Sequence, residues 1–292
     1  MDSLYTLENE SLAAAVTAVG AELQSLVHKS RRRELLWQRD AAYWARSSPV
    51  LFPCIGELKN GGYTYRGNSY VLPKHGFARD RTFQFLSKNE QALSLGLSSD
   101  AATRSCYPFP FELRIHYMLD QRQLACTYEV YNPGTECLLF SIGGHPAFQL
   151  EQHEGQRWSD HTLHFEADQH LRRYFLQDGL LREDHERYAL DNGRLPLSTN
   201  MFSQDAWVIK ELQSTGVTLL GSDDVVQLHF DFEGFPYLGL WAPVGAPFLC
   251  IEPWCGLPDG VSHNGNLDQR EGIQRLPSGA LWQRTWRVNV PA

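Results

Sequence analysis

Residues 248–256 read Phe-Leu-Cys-Ile-Glu-Pro-Trp-Cys-Gly, and this stretch is the centre of the fold that the sequence predicts. The apolar run before Glu252 is typical of a buried strand, and Pro253, which has no N–H to donate, is expected to end it. Partial burial at the strand end would raise the pKa of Glu252 toward the range in which a carboxylate accepts protons near neutrality. Trp254 suits a sugar, whose apolar ring face stacks on an aromatic side chain. A surface glutamate at a turn is the alternative that this stretch alone leaves open.

The rest of the chain also consists of short strand-like segments. Residues 124–131 alternate between a more apolar and a more polar face, which is the period-two pattern of a strand. Similar runs recur from residue 4 to residue 290, separated by glycine and proline, and only short helices are expected. No linker-like composition divides them. The sequence therefore predicts one all-β domain over residues 1–292, larger than a seven-stranded immunoglobulin sandwich and closer to a larger pair of stacked sheets.

Composition limits the classes of partner. The 292 residues are 42% hydrophobic and 21% charged, which is ordinary for a globular protein. The formal net charge of −8 gives no electrostatic footprint for nucleic acid or an anionic membrane surface, and the basic cluster at residues 31–33 is expected to be a solvated turn. No apolar run approaches the roughly 20 residues that span a bilayer. We therefore expect neither a nucleic-acid partner nor a membrane partner, and the sequence specifies no oligomeric state.

The N-terminal segment and the cysteines predict a cytoplasmic protein. A signal peptide needs a basic start and a long apolar block, whereas this chain carries Asp2, Glu8 and Glu10 near its start. The six cysteines are scattered through strand-like segments without a Cys-x-x-Cys pair, so we expect them to be reduced core residues.

Three polar residues stand out by their surroundings. His75 lies in a loop dense in charge at residues 74–80, and His145 directly follows a predicted strand within Gly-Gly-His-Pro. Asp205 comes directly before an apolar run that is typical of a strand. Each of them alone is equally explained as a core, turn or capping residue. The other histidines are expected to be structural or surface residues: His28, His116, His153, His161, His164, His170, His185, His229 and His263.

An ordered set of motifs runs nearly from end to end of the chain. It comprises Trp37 and Trp44, Pro49-Val50-Leu51-Phe52-Pro53, Ile55-Gly56, Leu58-Lys59-Asn60-Gly61, His75-Gly76-Phe77-Ala78-Arg79-Asp80, Gly144-His145-Pro146-Ala147-Phe148, Phe202 with Asp205-Ala206, and Ile251-Glu252-Pro253-Trp254 with Gly256 and Asp259. Singly these motifs are weak, but in this order they are specific. The chain resembles the aldose 1-epimerase (galactose mutarotase-like) family, and most closely its LacX-like branch.

The resemblance implies a β-supersandwich of stacked antiparallel sheets with an open sugar-binding cleft. It gives Glu252 the role of general base and His145 that of general acid in opening and reclosing a hexose ring, with no cofactor and no metal. His75 and Asp205 would be the other polar residues that contact the sugar. Arg79, Glu57 and Trp254 are the further candidates for substrate binding. Glu57 is the departure from the family pattern, because many relatives carry there an arginine that contacts the sugar.

The residues give this chemistry a physical basis. A carboxylate with a raised pKa and a histidine near its ordinary pKa of about 6.5 hold opposite proton roles at neutral pH. Glu252 would take the proton of the anomeric hydroxyl while protonated His145 gives one to the ring oxygen, and the ring opens to the free aldehyde. Rotation and reclosure then invert the anomeric centre.

Two rival enzyme classes fit less of the sequence. Two histidines and a glutamate can hold a catalytic zinc, but no His-Glu-x-x-His helix is present. A glycoside hydrolase would use Asp205 and Glu252 as facing acids, which leaves His145 without a role.

Two alternatives share the predicted fold. A non-catalytic sugar-binding or regulatory protein is the first, because Glu57 replaces the family arginine and a fold alone does not set a function. A hexose-6-phosphate mutarotase is the second, because Lys74 and Arg79 flank His75 and are able to hold a phosphate. Salt bridges of these two residues with Asp80 or Glu57 are the simpler expectation.

Overall fold

A computed structural model describes residues 3–150 and 158–292, so the expectation for His153 lies outside the described residues. The strands are β1 Leu4–Glu8, β2 Leu12–Thr17, β3 Leu23–His28, β4 Arg33–Glu34, β5 Val50–Leu51, β6 Gly62–Tyr65, β7 Asn68–Val71, β8 Gln84–Lys88, β9 Ala92–Ser98, β10 Glu112–Asp120, β11 Gln123–Tyr131, β12 Leu138–Phe140, β13 Ile142–Gly144, β14 Ala147–Gln149, β15 Thr162–Phe165, β16 His170–Gln177, β17 Leu180–Ala189, β18 Arg194–Pro196, β19 Trp207–Lys210, β20 Gly216–Leu220, β21 Val226–Asp231, β22 Tyr237–Trp241, β23 Phe248–Cys255, β24 Gln274–Leu276 and β25 Leu281–Asn289.

Helical structure in the described residues is limited to short pieces. The α-helix α1, Ala101–Cys106, begins at Asp100, whose carboxylate accepts the Thr103 N–H at 2.6 Å while the Thr103 hydroxyl accepts the Asp100 N–H at 2.8 Å. Single 3₁₀ turns cover Lys59–Gly61, Ala78–Asp80, Trp158–Asp160, Ser222–Asp224 and Leu267–Gln269. None of the described helices has the length and apolar character to cross a membrane. The predicted all-β class is confirmed.

Two large antiparallel sheets form the body of the protein. The first has nine strands in the order β18-β15-β20-β21-β25-β11-β10-β9-β8. The second runs β17-β16-β19-β22-β23-β13-β5, and β14 also pairs with β23. Three smaller sheets accompany them: β1-β2-β3-β4, β6-β7 and β12-β24.

Aromatic side chains fill the space between the two large sheets. Phe230 of β21 lies 5.6 Å from Trp286 of β25 and 5.6 Å from Phe148 of β14, measured between ring centroids. The indole N–H of Trp286 donates to the Tyr128 hydroxyl at 2.8 Å, so this buried donor is satisfied. The main buried cluster takes residues from Leu7 to Val290. The two sheets therefore stack on one shared core, as predicted.

Hydrophobic periodicity does not predict the hairpin β16–β17. Most of β17 is exposed and charged, so its sequence shows no apolar face. The two residues of its turn, Asp178 and Gly179, have φ angles of 52° and 77°. Asp-Gly is the typical sequence of such a turn because both positions need a positive φ, and it is the signal that identifies this hairpin. The hairpin matters because Leu176 and Gly179 line the candidate site.

Candidate active site

Glu252 lies inside β23 and not at its end. The strand continues to Cys255, and Gly239 of β22 pairs with Glu252 on one side. The expectation that Pro253 ends the strand is wrong. The Ile251 N–H donates to the Pro146 carbonyl at 3.1 Å, and because N–H directions alternate along a strand, the Pro253 nitrogen faces the same neighbour. At that point the neighbouring ladder is interrupted, so the missing N–H costs no hydrogen bond.

The interruption places His145 opposite Glu252. Strand β13 pairs Gly143 with Trp254, and β14 pairs Ala147 with Cys250. These pairs share one register, which puts the intervening His145 directly across from Glu252. Its Nε2 lies 3.3 Å from the Glu252 Oε2, and the two side chains are 9% and 2% exposed. The topology therefore holds the two candidate catalytic groups side by side.

Two tryptophans enclose the His145 ring. Trp44 stacks on it with centroids 4.8 Å apart, and Trp241 of β22 meets it edge-on at 5.7 Å. The segment that carries Trp44 is fixed by a buried carboxylate, because Glu22 Oε1 accepts the N–H groups of Ser47 and Ser48 at 2.7 and 3.0 Å. The imidazole is thus oriented by packing on both sides.

His75 presents a defined tautomer to the cleft. Its Nδ1 accepts the Gly56 N–H at 3.1 Å, so the neutral ring carries its proton on Nε2. Burial holds the pKa of His75 well below its ordinary value, and electrostatic repulsion between the two rings of His75 and His145 in their protonated forms lowers it further. The ring therefore stays neutral and offers one N–H donor.

Trp254 forms a wall of the cleft because its indole packs over a glycine on each adjacent strand. A Cβ on Gly239 would lie 2.5 Å from the indole Cζ2, and a Cβ on Gly143 would lie 2.7 Å from its Cδ1. The indole Nε1 is buried and has no hydrogen-bond partner in the described part of the chain. Trp254 thus supplies an apolar ring face and an N–H that favours the ionised form of the neighbouring Glu252.

These groups surround a cleft of about 300 Å³. Its lining consists of Trp44, Gly56, Lys74, His75, Arg79, His145, Leu176, Gly179, Asp205, Ala206, Trp241, Glu252, Trp254 and Pro258. The mixture of three indole rings with convergent charged and hydrogen-bonding groups is the usual make-up of a small-molecule site.

Comparison with known proteins identifies the family. The sequence profile of the family named Aldose 1-epimerase matches residues 3–265. The chain belongs to the aldose 1-epimerase family. It is also 31% identical over 280 residues to the plasmid-encoded protein LacX of Lactococcus lactis subsp. lactis, an alignment that covers 92% of this chain and 93% of LacX.

Solved structures agree with this membership. A galactose mutarotase related enzyme from Lactobacillus acidophilus has a TM-score of 0.94 and 30% identity, covering 100% of this chain and 98% of its own. A galactose mutarotase-like protein from Lactobacillus casei has a TM-score of 0.92 and 29% identity, covering 99% and 100%. The predicted galactose mutarotase-like fold is confirmed.

Within this aldose 1-epimerase fold, the cleft brings most of the predicted site residues together. Glu252, His145, His75, Arg79, Asp205 and Trp254 all line it. Asp205 is exposed, has a φ of 71°, and accepts the Ala206 N–H at 2.7 Å. Glu57 lies beside the cleft and not in its lining, with its Cγ only 2.6 Å from the point where a Cβ on Gly179 would sit.

Several lining residues were not predicted as site residues. Two of them, Trp44 and Trp241, belong to the site because their rings pack against His145. The other two, Leu176 and Gly179, reach the cleft because the hairpin β16–β17 lies along it. For Trp241 no sequence signal was available, because its approach to His145 depends on strand order.

Burial sets the proton state of the two facing groups. It lowers the pKa of His145 to about 3, and it raises the pKa of Glu252 well above its usual range against the opposing charge of Lys74. The expectation that His145 keeps an ordinary pKa is wrong, whereas the raised pKa of Glu252 is confirmed. Burial thus favours the uncharged form of each group, an imidazole facing a carboxylic acid.

Proposed function

We propose that this aldose 1-epimerase family member is a mutarotase, which interconverts the α and β anomers of a hexose or a related sugar. The observation that carries the proposal is the placement of His145 Nε2 3.3 Å from Glu252 Oε2 in a cleft of about 300 Å³. Ring opening requires one proton to leave the anomeric hydroxyl and one to reach the ring oxygen. A pair that holds a single proton is able to do both.

Sugar binding prepares the pair for the reaction. Transfer of the carboxyl proton from Glu252 to His145 creates a carboxylate and an imidazolium without a change in net charge. Hydroxyl groups of the sugar join the N–H of Trp254 in donating to the carboxylate and favour this charged form. The preorganised side chains then replace the water that the sugar displaces.

The chemical step follows from these positions. The Glu252 carboxylate takes the proton of the anomeric hydroxyl while the His145 imidazolium gives its proton to the ring oxygen, and the bond between the anomeric carbon and the ring oxygen breaks. Rotation of the free aldehyde and the reverse transfers close the other anomer. Each transfer typically contributes about 10²–10⁴-fold to the rate.

The remaining residues bind the sugar. The N–H of neutral His75 donates to a hydroxyl, Asp205 accepts one at the rim, and Arg79 offers a cationic group from the same lining. The indole faces cover the apolar C–H groups of the ring.

Polarimetry of freshly dissolved α-glucose and α-galactose tests the proposal. The protein should speed the approach to anomeric equilibrium, and Glu252→Gln should remove the effect. Glu10→Gln, which changes an exposed carboxylate away from the cleft, is the matched control. No acceleration with either sugar, together with sugar binding in calorimetry, would favour the non-catalytic sugar-binding alternative.

A phosphorylated hexose is a second candidate substrate because two cationic side chains line the cleft and each has N–H groups free to bind a phosphate. Lys74 is exposed and forms no ion pair with a described residue, contrary to the expected salt bridge. The Arg79 Nε is buried without a hydrogen bond, although its ion-pair distance to Asp80 is 3.8 Å. If the substrate is a hexose 6-phosphate, Lys74→Met should slow its mutarotation at least tenfold and leave that of glucose unchanged.

A further inference from the structure

A third chemically reactive side chain lies beside the acid–base pair. Cys250 precedes Glu252 by two residues on β23, so both side chains project from the same face of the strand. The thiol is fully buried. One ligand atom each of Cys250, His145 and Glu252 lie within 4.8 Å of one another, and no other such group of three occurs among residues 3–150 and 158–292.

The distances fit a tetrahedral metal ion. Zinc binds histidine nitrogen and carboxylate oxygen at about 2.0–2.2 Å, so two such ligands on one ion are separated by about 3.3–3.5 Å. The His145 Nε2 and the Glu252 Oε2 are already 3.3 Å apart. A thiolate ligand lies about 3.6 Å from its neighbours on zinc, so the Cys250 sulfur needs to approach by at most about 1.2 Å.

An unsatisfied buried atom points to the same place. The Oε2 of Glu252, which is 1% exposed as a residue, receives no hydrogen bond from the described residues. Once this carboxyl group is ionised, its oxygen is a buried acceptor without a donor, and a cation between the three side chains would satisfy it. The open cleft beside them leaves a fourth position for water or a ligand.

We propose that His145, Cys250 and Glu252 bind a thiophilic divalent cation such as Zn²⁺, and that this cation switches off the acid–base pair. A thiolate with an imidazole favours zinc over magnesium or calcium, which prefer oxygen ligands. The cation would occupy the His145 Nε2 and the Glu252 Oε2, which are the two atoms that exchange protons with the sugar, and the displaced protons pass to solvent. Cation and catalytic proton therefore exclude one another. The inhibitory part rests on the proposed mutarotase activity, whereas cation binding does not.

Calorimetry with Zn²⁺ on chelator-treated protein tests the binding part. Exposed Cys137 is replaced by serine in every sample to remove an accidental thiol site. One ion should bind, and Cys250→Ala should weaken binding at least tenfold. Cys255→Ala is the matched control, because Cys255 is equally buried but projects from the opposite face of the strand. Cd²⁺ gives a second readout, because a thiolate bound to it absorbs by charge transfer. Cys250→Ser, whose folding is checked by a melting curve, shows whether weaker binding in Cys250→Ala comes from a folding defect.

The outcomes separate this proposal from the proposed function. Absence of zinc binding, or binding that survives both Cys250 variants, overturns the site. If mutarotation is measurable, Zn²⁺ should abolish it in the protein with Cys250 and spare the Cys250→Ala protein, and unimpaired turnover at saturating zinc overturns the switch. If no mutarotation is found with any sugar, the proposed function fails, while calorimetry still decides whether the site exists.

Discussion

Replacing Glu252 by glutamine should change activity and stability in opposite directions. The variant keeps the shape of the side chain but cannot accept the proton of the anomeric hydroxyl, so kcat should fall by about 10²–10⁴-fold. The free energy of unfolding should rise, because the native protein holds this carboxyl protonated in a dry site and the unfolded chain ionises it freely.

The size of the stability change follows from the raised pKa. Between the ordinary pKa of 4.5 and the higher native pKa, the unfolded state binds one proton fewer at this group. Wild-type stability therefore loses about 1.4 kcal/mol per pH unit as the pH rises, and the glutamine variant has no such loss. Above about pH 5 the advantage of the variant should therefore grow by about 1.4 kcal/mol per pH unit until the pH reaches the native pKa of Glu252.

Urea denaturation of both proteins at several pH values across this range measures the difference. A stability difference that stays constant with pH would mean that Glu252 is ionised in the native protein, and it would refute the carboxylic acid facing His145. Full turnover by the variant would refute Glu252 as the base.

Three further predictions follow from the packing around the cleft. His145→Asn should lower kcat by about 10²–10⁴-fold in polarimetry while the melting temperature stays near that of the wild type; normal turnover would exclude His145 as the acid. Gly239→Ala should lower the free energy of unfolding by about 1–3 kcal/mol because the added methyl group meets Trp254 at 2.5 Å, whereas Gly260→Ala, with its nearest atom at 3.8 Å, should cost far less; equal urea midpoints would contradict this. Trp44→Leu removes the ring stacked on His145 and should reduce kcat more than it changes sugar affinity in calorimetry; a pure affinity loss would make Trp44 a binding residue only.

Local patterns in the sequence predict the strands better than they predict the site. The short apolar run Tyr237–Trp241 forms a strand with the predicted bounds. The charged β17 does not alternate and was missed, because an edge strand with exposed faces needs no apolar stripe. Pro253 was misjudged because a proline ends a strand only if its neighbour requires the missing donor, and the neighbour belongs to another part of the chain.

The site shows the same division between local and long-range information. His75, His145 and Glu252 were recognisable from their motifs, and the cleft brings them together. The proximity of Cys250 to His145 and Glu252, and the low pKa of His145, arise from register and burial that no single segment encodes. Glu57 differs from the family pattern, but the side chain packs beside the cleft, which only the folded hairpin turn reveals.

The interrupted ladder between β13 and β14 has a consequence for how this segment evolves. The pairs on both sides keep one register, so the number of residues between Gly143 and Ala147 decides which face of the sheet His145 occupies. A single insertion or deletion there would turn the imidazole away from Glu252 and toward the opposite face, since the side-chain repeat of a strand is two residues. Natural selection is therefore expected to preserve the length of this segment as strictly as it preserves His145 and Gly143 themselves.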